Sequence, residues 1–325
     1  MSDNKREFKG NSVISMPDEF TIIDIETTGL YTEWDDIIEV SAIRYNKEFE
    51  EIGRFSELIQ PPCENPESGE FISDFISYLT GITNEMLVDA DVIENVLPRY
   101  LDFIGDSFII GYNVNFDINF IYDNAEYLEL NHFSNDFMDI MRLSRKIHKE
   151  MQHHRLKDMA ELYDIDYTNA HRSLADCLIT KEVFKNLLIE GIDIFGSFED
   201  ISKAFHSKNK KGSSRLKAED FISQVNPDEI DSENPIYGKT IVFTGALERM
   251  ERKYAFQIVT NLGGIPADGV TKKTNLLVLG NNDYCKTIKD GKSSKQKKAE
   301  QYKLDGLDID IIPETVFYEM VETSN

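Results

Sequence analysis

Asp24 and Glu26 stand two residues apart in the run Ile22-Ile23-Asp24-Ile25-Glu26-Thr27-Thr28-Gly29-Leu30. On an extended strand this spacing turns both carboxylates to one face. Charges in an apolar strand are costly unless something compensates them. Asp117 follows in Asn113-Val114-Asn115-Phe116-Asp117, and His171 and Asp176 in His171-Arg172-Ser173-Leu174-Ala175-Asp176. Singly, Asp117 reads as an acid favouring a helix N-terminus, Asp176 as a solvated helix position, and His171 as a surface or capping histidine. Gathered at one point, four acids repel each other and persist as carboxylates only with cations between them. A carboxylate cage for hard divalent ions, with a titratable imidazole beside it, suits phosphodiester hydrolysis. Thr27, Thr28 and Gly29 offer backbone N–H groups and a close approach for a nucleotide.

The elements that must position these residues follow from hydrophobic patterning. Residues 20–26, 36–45 and 54–60 read as strands, and Pro61-Pro62 stops the third. Helical spacing marks 71–79 and 95–104, with a turn at Gly81-Ile82-Thr83 between them. A short apolar strand at 107–111 precedes amphipathic helices at 116–130, 139–148, 156–163 and 171–189. The acid pair thus sits on the first strand, Asp117 at a helix start, and His171 with Asp176 on the last helix. Three early strands followed by alternating strands and helices predict an α/β fold with a mixed sheet covered by helices. Residues 1–18 are polar and expected to be loose. His153 and His154, before Arg155, read as a solvated pair.

The stretch 203–217 is basic and carries Gly and Ser. It reads as a solvated linker, or as a cationic tether touching nucleic acid. A second unit begins near Pro235, with strands at 238–245, 276–280 and 309–312 and helices at 252–262, 294–302 and 313–321. That alternation predicts a small, largely parallel sheet.

The 325 residues suffice for two domains, and 41% hydrophobic content allows sizeable cores. No apolar run is long enough to span a bilayer, which argues against a membrane partner. Three scattered cysteines without a CxxC pair predict a reduced, cytoplasmic protein without structural zinc. The net charge is −24, unfavourable for a polyanion-binding surface. It is unevenly distributed: residues 1–190 hold 16 Lys+Arg against 38 Asp+Glu, and residues 235–325 hold 13 against 12. The acidity therefore lies in the half with the carboxylate set. Such a body is expected to hold nucleic acid modestly, through metals and local cations, and to act distributively.

In its order and settings, the five-residue set resembles the DEDD exonuclease superfamily, in its histidine branch. This DnaQ-like branch includes epsilon-type proofreading subunits of DNA polymerase III, RNase T and oligoribonuclease. Asp24 and Glu26 match the first motif, Asp117 the second, and His171 with Asp176 the third. The segment Leu79-Thr80-Gly81-Ile82-Thr83 is similar to that between the first two motifs. Tyr112 departs from the pattern, standing where the family often has His, and is expected to affect substrate fit. The resemblance implies a ribonuclease H-like domain over 19–190 and a two-metal mechanism with Mg2+, or Mn2+ as substitute. It also implies 3′ to 5′ digestion that releases nucleoside 5′-monophosphates. Asp24 would bridge the ions, Glu26 and Asp176 hold one, Asp117 the other, and His171 act as base. Leu30, Asn113 and Phe116 join Thr27, Thr28 and Gly29 as substrate-side candidates.

Residues 235–325 resemble a BRCT domain, in Gly238-Lys239-Thr240-Ile241-Val242-Phe243-Thr244-Gly245, Gly263-Gly264, the run 270–278 and Ser294-Lys295-Gln296-Lys297-Lys298-Ala299. Phe317 stands where the family commonly has Trp. The resemblance implies a phosphate pocket of Thr244, Gly245 and Lys298, its ligand a DNA end or a phosphoprotein, with residues 191–234 as linker. The expected activity is a 3′–5′ exonuclease on DNA 3′ ends in repair, replication or proofreading, with polymerase or repair proteins as partners. An RNase T-like exoribonuclease and a non-catalytic BRCT adaptor are the alternatives.

Overall fold

The computed structural model describes residues 6–322 except 64–68, 152, 169, 207–216, 222, 224, 226–229, 233, 248–249 and 281–291. Cys285 and most of the basic stretch 203–217 lie outside the described residues. The chain divides into two compact units, one within 6–207 and one from 208 onward.

The first unit opens with strands β1 (Glu19–Thr27), β2 (Ile37–Asn46) and β3 (Glu51–Gln60). Helices α1 (Asp74–Thr80) and α2 (Asn84–Val88), strand β4 (Asp91–Val92), helix α3 (Ile93–Ile104) and strand β5 (Phe108–Gly111) follow. Then come α4 (Asn115–Tyr127), β6 (Phe137–Asp139), α5 (Ile140–Ile147), α6 (Leu156–Leu162), α7 (Ser173–Phe195) and α8 (Phe198–His206). The sheet order is β4-β3-β2-β1-β5-β6. β1, β2 and β3 pair antiparallel, while β5 and β6 run parallel to β1. This is the mixed, ribonuclease H-like sheet expected.

Alternation along β1 decides which face receives the acids. Ile23 and Ile25 pack with Val96, Tyr100, Phe120 and Ile121 of α3 and α4. Phe20 and Ile22 pack with Val183, Phe184 and Leu187 of α7. Asp24 and Glu26 continue the second series, so they face α7. Gly111 ends β5 where a Cβ would lie 2.5 Å from Val114 Cγ2 and 3.1 Å from Ile23 O. Only glycine lets the chain turn there into α4.

Several boundaries differ from expectation. Residues 6–18 are not a loose leader. Val13 N–H donates to Phe137 O at 2.8 Å and Phe137 N–H to Asn11 O at 2.9 Å, so this segment pairs along β6. Arg6 pairs with Asp123, and Lys9 Nζ donates to Asn115 and Asn119 Oδ1, both at 2.8 Å. The first unit also continues past 190 into what was expected to be linker. α7 runs to Phe195, and Ile201 of α8 is fully buried against it, in a notch where a Cβ on Gly191 would meet Ile201 Cδ1 at 2.8 Å. The short elements α2, β4 and β6 carry too few residues to show a period.

The second unit comprises β7 (Thr240–Thr244), α9 (Arg252–Asn261), β8 (Ile265–Ala267), β9 (Leu276–Leu279), α10 (Ser294–Leu304), β10 (Asp310–Pro313) and α11 (Glu314–Glu322). Its strands, in order β10-β9-β7-β8, are all parallel. Phe317 is fully buried, its ring centroid 5.0 Å from that of Phe243, so phenylalanine fills the core position. Ala218 and Phe221 pack into this core, so the chain around 218–221 belongs here and not to a linker. Among the described residues no helix is long and apolar enough to cross a membrane.

His154 is buried, not solvated. Its Nδ1 lies 3.3 Å from Ser144 Oγ, and its carbonyl accepts the Tyr112 hydroxyl at 2.9 Å. Desolvation, then Arg145 and His148, push its pKa down to about 4. Folding thus favours the neutral ring. That stability is whole above the unfolded value of ~6.5 and is lost as pH falls toward 4. The shift corresponds to about 3 kcal/mol at most. In thermal melts from pH 7 to 4 the wild type should lose stability relative to His154→Gln as the pH falls; a constant difference between the two would exclude His154 as a source.

Candidate active site

The acids converge from three elements. Asp24 and Glu26 project from β1 toward α7, and Asp176 lies in the first turn of α7. Carboxylate oxygens of these three lie within 4.8 Å of one another. Asp117, in the first turn of α4, joins from the other edge of β1. The pairing of β1 with β5 ends at Ile22, opposite Ile110. Beyond it, Ile25 N–H donates to Asp117 Oδ1 at 3.0 Å. Asp117 thus takes over a donor that the neighbouring strand leaves free, on the residue between the two β1 acids.

Crowding governs the electrostatics. Burial, then Asp117, Asp176, Glu26 and Glu39, push the Asp24 carboxyl well above its usual range. Burial, then Asp176, Glu39 and Asp117, push Glu26 up to about 9, opposed by Arg172. Asp176 rises to about 7, through burial and Glu39, opposed by the His171 N–H. Burial also raises Asp117. Asp176 Oδ1 is buried and has no hydrogen-bond partner among the described residues. An orphaned oxygen amid mutually repelling carboxylates is what a divalent cation would satisfy. The donor set is all oxygen, as hard ions require.

His171 stands at the exposed rim. Its φ of 67° is left-handed, and its N–H reaches Asp176 Oδ2 at 3.3 Å. Partial desolvation and the Lys157 ammonium lower its pKa, which favours the neutral, proton-accepting ring. Tyr167 meets the His171 ring edge to face, centroids 6.1 Å apart. Burial, then Asp176, Asp24 and Glu26, raise the Tyr167 hydroxyl, which places it beside the acids.

The structure redefines several substrate-side candidates. Thr27 Oγ1 donates to Gly29 O at 2.6 Å, and Thr28 N–H donates to Asp36 O at 2.9 Å. Thr28 Oγ1 in turn accepts Asp36 N–H at 2.9 Å. These bonds close the loop after β1, and of the backbone N–H groups expected to meet a nucleotide that of Thr28 is taken by Asp36. At Gly29, a Cβ would lie 2.4 Å from Asp35 Oδ1, so the close approach there is made by Asp35. Leu30 is half-buried, and so is Phe116, which packs on Phe120 with centroids 4.9 Å apart. Asn113 adopts φ 59° and donates its N–H to Asp139 Oδ1 at 3.1 Å. Its buried Oδ1 has no partner among the described residues. Tyr112 is buried, its hydroxyl bonded within the core rather than offered to substrate.

In the second unit, Thr244 Oγ1 donates to Ser293 Oγ at 2.7 Å, which caps α10. Gly245 has φ 74° and its carbonyl accepts from Arg252. Lys298 is exposed, with Nζ 5.5 Å from the Tyr302 ring centroid. The ammonium that reaches the end of β7 is that of Lys295, 2.8 Å from Phe243 O.

Sequence reasoning missed Tyr167, Glu39 and Arg172. Glu39 carried a usable signal: like Asp24, it is a charge inside an apolar strand run, Ile37-Ile38-Glu39-Val40.

Residues 21–184 match the family described as Exonuclease (RNase T), and residues 231–313 match the BRCA1 C Terminus (BRCT) domain. The DNA polymerase III subunit epsilon of Aquifex aeolicus (strain VF5) is 35% identical over 171 residues, 53% of this chain and 81% of its own length. The DNA polymerase III PolC-type of Caldanaerobacter subterraneus subsp. tengcongensis is 35% identical over 180 residues, 55% of this chain but 12% of its own length. The Staphylococcus aureus PolC-type is 31% identical over 225 residues, 69% of this chain and 14% of its own length. The chain therefore spans only a small part of these PolC-type relatives. Crystalline E. coli Exonuclease I in complex with a dT13 oligonucleotide aligns with a TM-score of 0.48 and 19% identity, over 55% of this chain and 43% of that one.

For an acid whose folded pKa is raised, stability is present at low pH and lost as pH rises between the unfolded and folded values. For Glu26 that window runs from 4.5 to about 9. The metal-free melting temperature should therefore fall from pH 5 to 9. Mg2+ or Mn2+ added at pH 8 should restore it, and Asp24→Asn should blunt both effects in the same melts. A flat metal-free profile would contradict the crowding argument.

Proposed function

Because the chain belongs to the RNase T-type exonuclease family, we propose that it hydrolyses DNA from the 3′ end, releasing nucleoside 5′-monophosphates, with Mg2+ as its working ion. The observation that carries this reading is the convergence of the Asp24, Glu26 and Asp176 carboxylates within 4.8 Å, with Asp117 adjoining and His171 at the rim. The four carboxylates would hold two divalent ions. When bound, such ions neutralise charge developing on the phosphate and the leaving 3′ oxygen and acidify the attacking water. His171 takes the proton from that water; its lowered pKa keeps the ring neutral at pH 7. The Tyr167 ring, packed on His171, limits the ring's swing.

The acidic body needs a local path for a polyanion. Residues 142–157 contain six Lys+Arg (Arg142, Arg145, Lys146, Lys149, Arg155, Lys157) against one acid, Glu150. Lys157 stands close enough to act on the His171 ring, and it and Lys149 are exposed, which suits backbone contacts. DNA is favoured over RNA because the relatives are DNA polymerase III proteins. The same likeness supports a place in replication, proofreading or repair, in the company of a polymerase. The BRCT unit would target the nuclease to DNA ends or to a phosphoprotein. The adaptor reading is disfavoured because all five chemical residues are present and assembled.

Matched 3′-labelled DNA and RNA strands with Mg2+ test the proposal. Wild type should release mononucleotides, faster from DNA. Asp24→Ala should lose at least ~10³-fold, and His171→Gln about 10²–10⁴-fold. Equal release by wild type and Asp24→Ala would refute the nuclease reading, and faster release from RNA would transfer it to RNA. Lys157→Ala should mainly raise KM, and the wild-type rate should level off with rising pH below the ordinary histidine value of ~6.5.

A further inference from the structure

The helix that carries Asp176 has no capping side chain of its own. Arg172, at the cap position of α7, makes no such hydrogen bond. The first N–H of the helix, that of Ser173, instead donates to Glu39 Oε2 of β2 at 2.8 Å. Arg172 grips the same carboxylate, Nη2 at 2.5 Å and Nε at 3.1 Å from Oε1. Two residues along β2, Ser41 Oγ lies 2.7 Å from Ser173 Oγ. Glu39, Ser41 and Ser173 are all buried.

The strand register gives this arrangement its meaning. Glu39 pairs with Glu26, and Ser41 with Asp24. Directly paired residues on antiparallel strands share a face. So each acid that β1 contributes has, one strand away, a side chain holding the helix that contributes the third acid. Arg172 and Ser173 lie between His171 and Asp176 in sequence. Fixing both therefore fixes the imidazole on one side and the carboxylate on the other.

We propose that Glu39, with Arg172 and Ser41, is the positioning device of the site: a clamp from β2 that sets the first turn of α7, and with it His171 and Asp176, in register with Asp24 and Glu26. Its carboxylate also meets the N-terminal end of α7, where the helix dipole is positive. Burying a fifth negative charge beside these four acids is unfavourable unless it is paired, as Glu39 is by Arg172 and the Ser173 N–H. The inference rests on the exonuclease reading for its kinetic part and on the fold alone for its structural part.

The test compares wild type, Glu39→Gln, Arg172→Lys and the double variant. Arg172→Lys keeps the charge but loses the fork geometry, so it should fold even where Glu39→Gln does not. In the metal-free protein, hydrogen exchange of the amides of 171–176 should quicken at least 10-fold in each variant while those of Ile22 and Ile23 hold. On 3′-labelled DNA with saturating Mg2+, kcat should fall 10- to 100-fold with KM within 3-fold, and the double variant should be no slower than Glu39→Gln. Wild-type exchange and kcat in Arg172→Lys would overturn the clamp. So would rescue of Glu39→Gln by raised Mg2+ with Arg172→Lys unaffected, since Glu39 would then serve the metal directly. A wild type inert on every 3′ end would instead sink the exonuclease reading, leaving the exchange data to judge the clamp.

Discussion

Mutual repulsion among carboxylates held in a half-buried cleft is the constraint on which the rest of this structure depends. Asp24, Glu26, Asp117 and Asp176 all sit where each raises the others' affinity for protons, and Glu39 adds to it. Folding brings them together only because the surrounding packing is strong. Two apolar layers, one under α7 and one under α3 and α4, clamp β1 from both faces. The sheet is thus the mould and the acids are its strained insert, a division common where stability is yielded locally for chemistry.

Backbone geometry at the site follows from the same demand. Two non-glycine residues next to the acids, Asn113 and His171, adopt left-handed φ values. Each turns the chain abruptly into a helix whose first turn delivers an acid, α4 for Asp117 and α7 for Asp176. Short turns of this kind place a carboxylate near the positive end of a helix, which offsets part of the repulsion. The β2 clamp performs the complementary task, holding the α7 turn against the outward push of like charges.

The two units differ in electrostatic character as well as fold. The acidic unit carries the carboxylates, and its cations are concentrated in α5, α6 and the segment between them. The nearly neutral second unit has a core of phenylalanines packed edge to face and short helices over a parallel sheet. There the strand-end hydroxyl of Thr244 is committed to Ser293, the residue that caps α10, and Lys295 rather than Lys298 approaches the strand.

The sequence by itself determined the strand carrying Asp24 and Glu26, the helix carrying Asp176, the mixed sheet and the parallel sheet of the second unit. Each rests on local periodicity or on a charge placed against an apolar run, and both are properties of neighbours in the chain. Only the tertiary structure decided what depends on distant partners. Glu39 and Arg172 are 133 residues apart, and no local pattern pairs them. The N-terminal residues looked loose because their polar side chains find partners on elements distant in the chain, such as Asp123 and Asn119 of α4 and Arg142 of α5. His154 looked solvated because burial depends on Ser144 and Tyr112 from other elements. Thr28 and Gly29 looked open to substrate because the loop that occupies them, through Asp35 and Asp36, closes only in three dimensions. Spacing fixes which face a residue presents, whereas what meets that face is set by the packing of the whole domain.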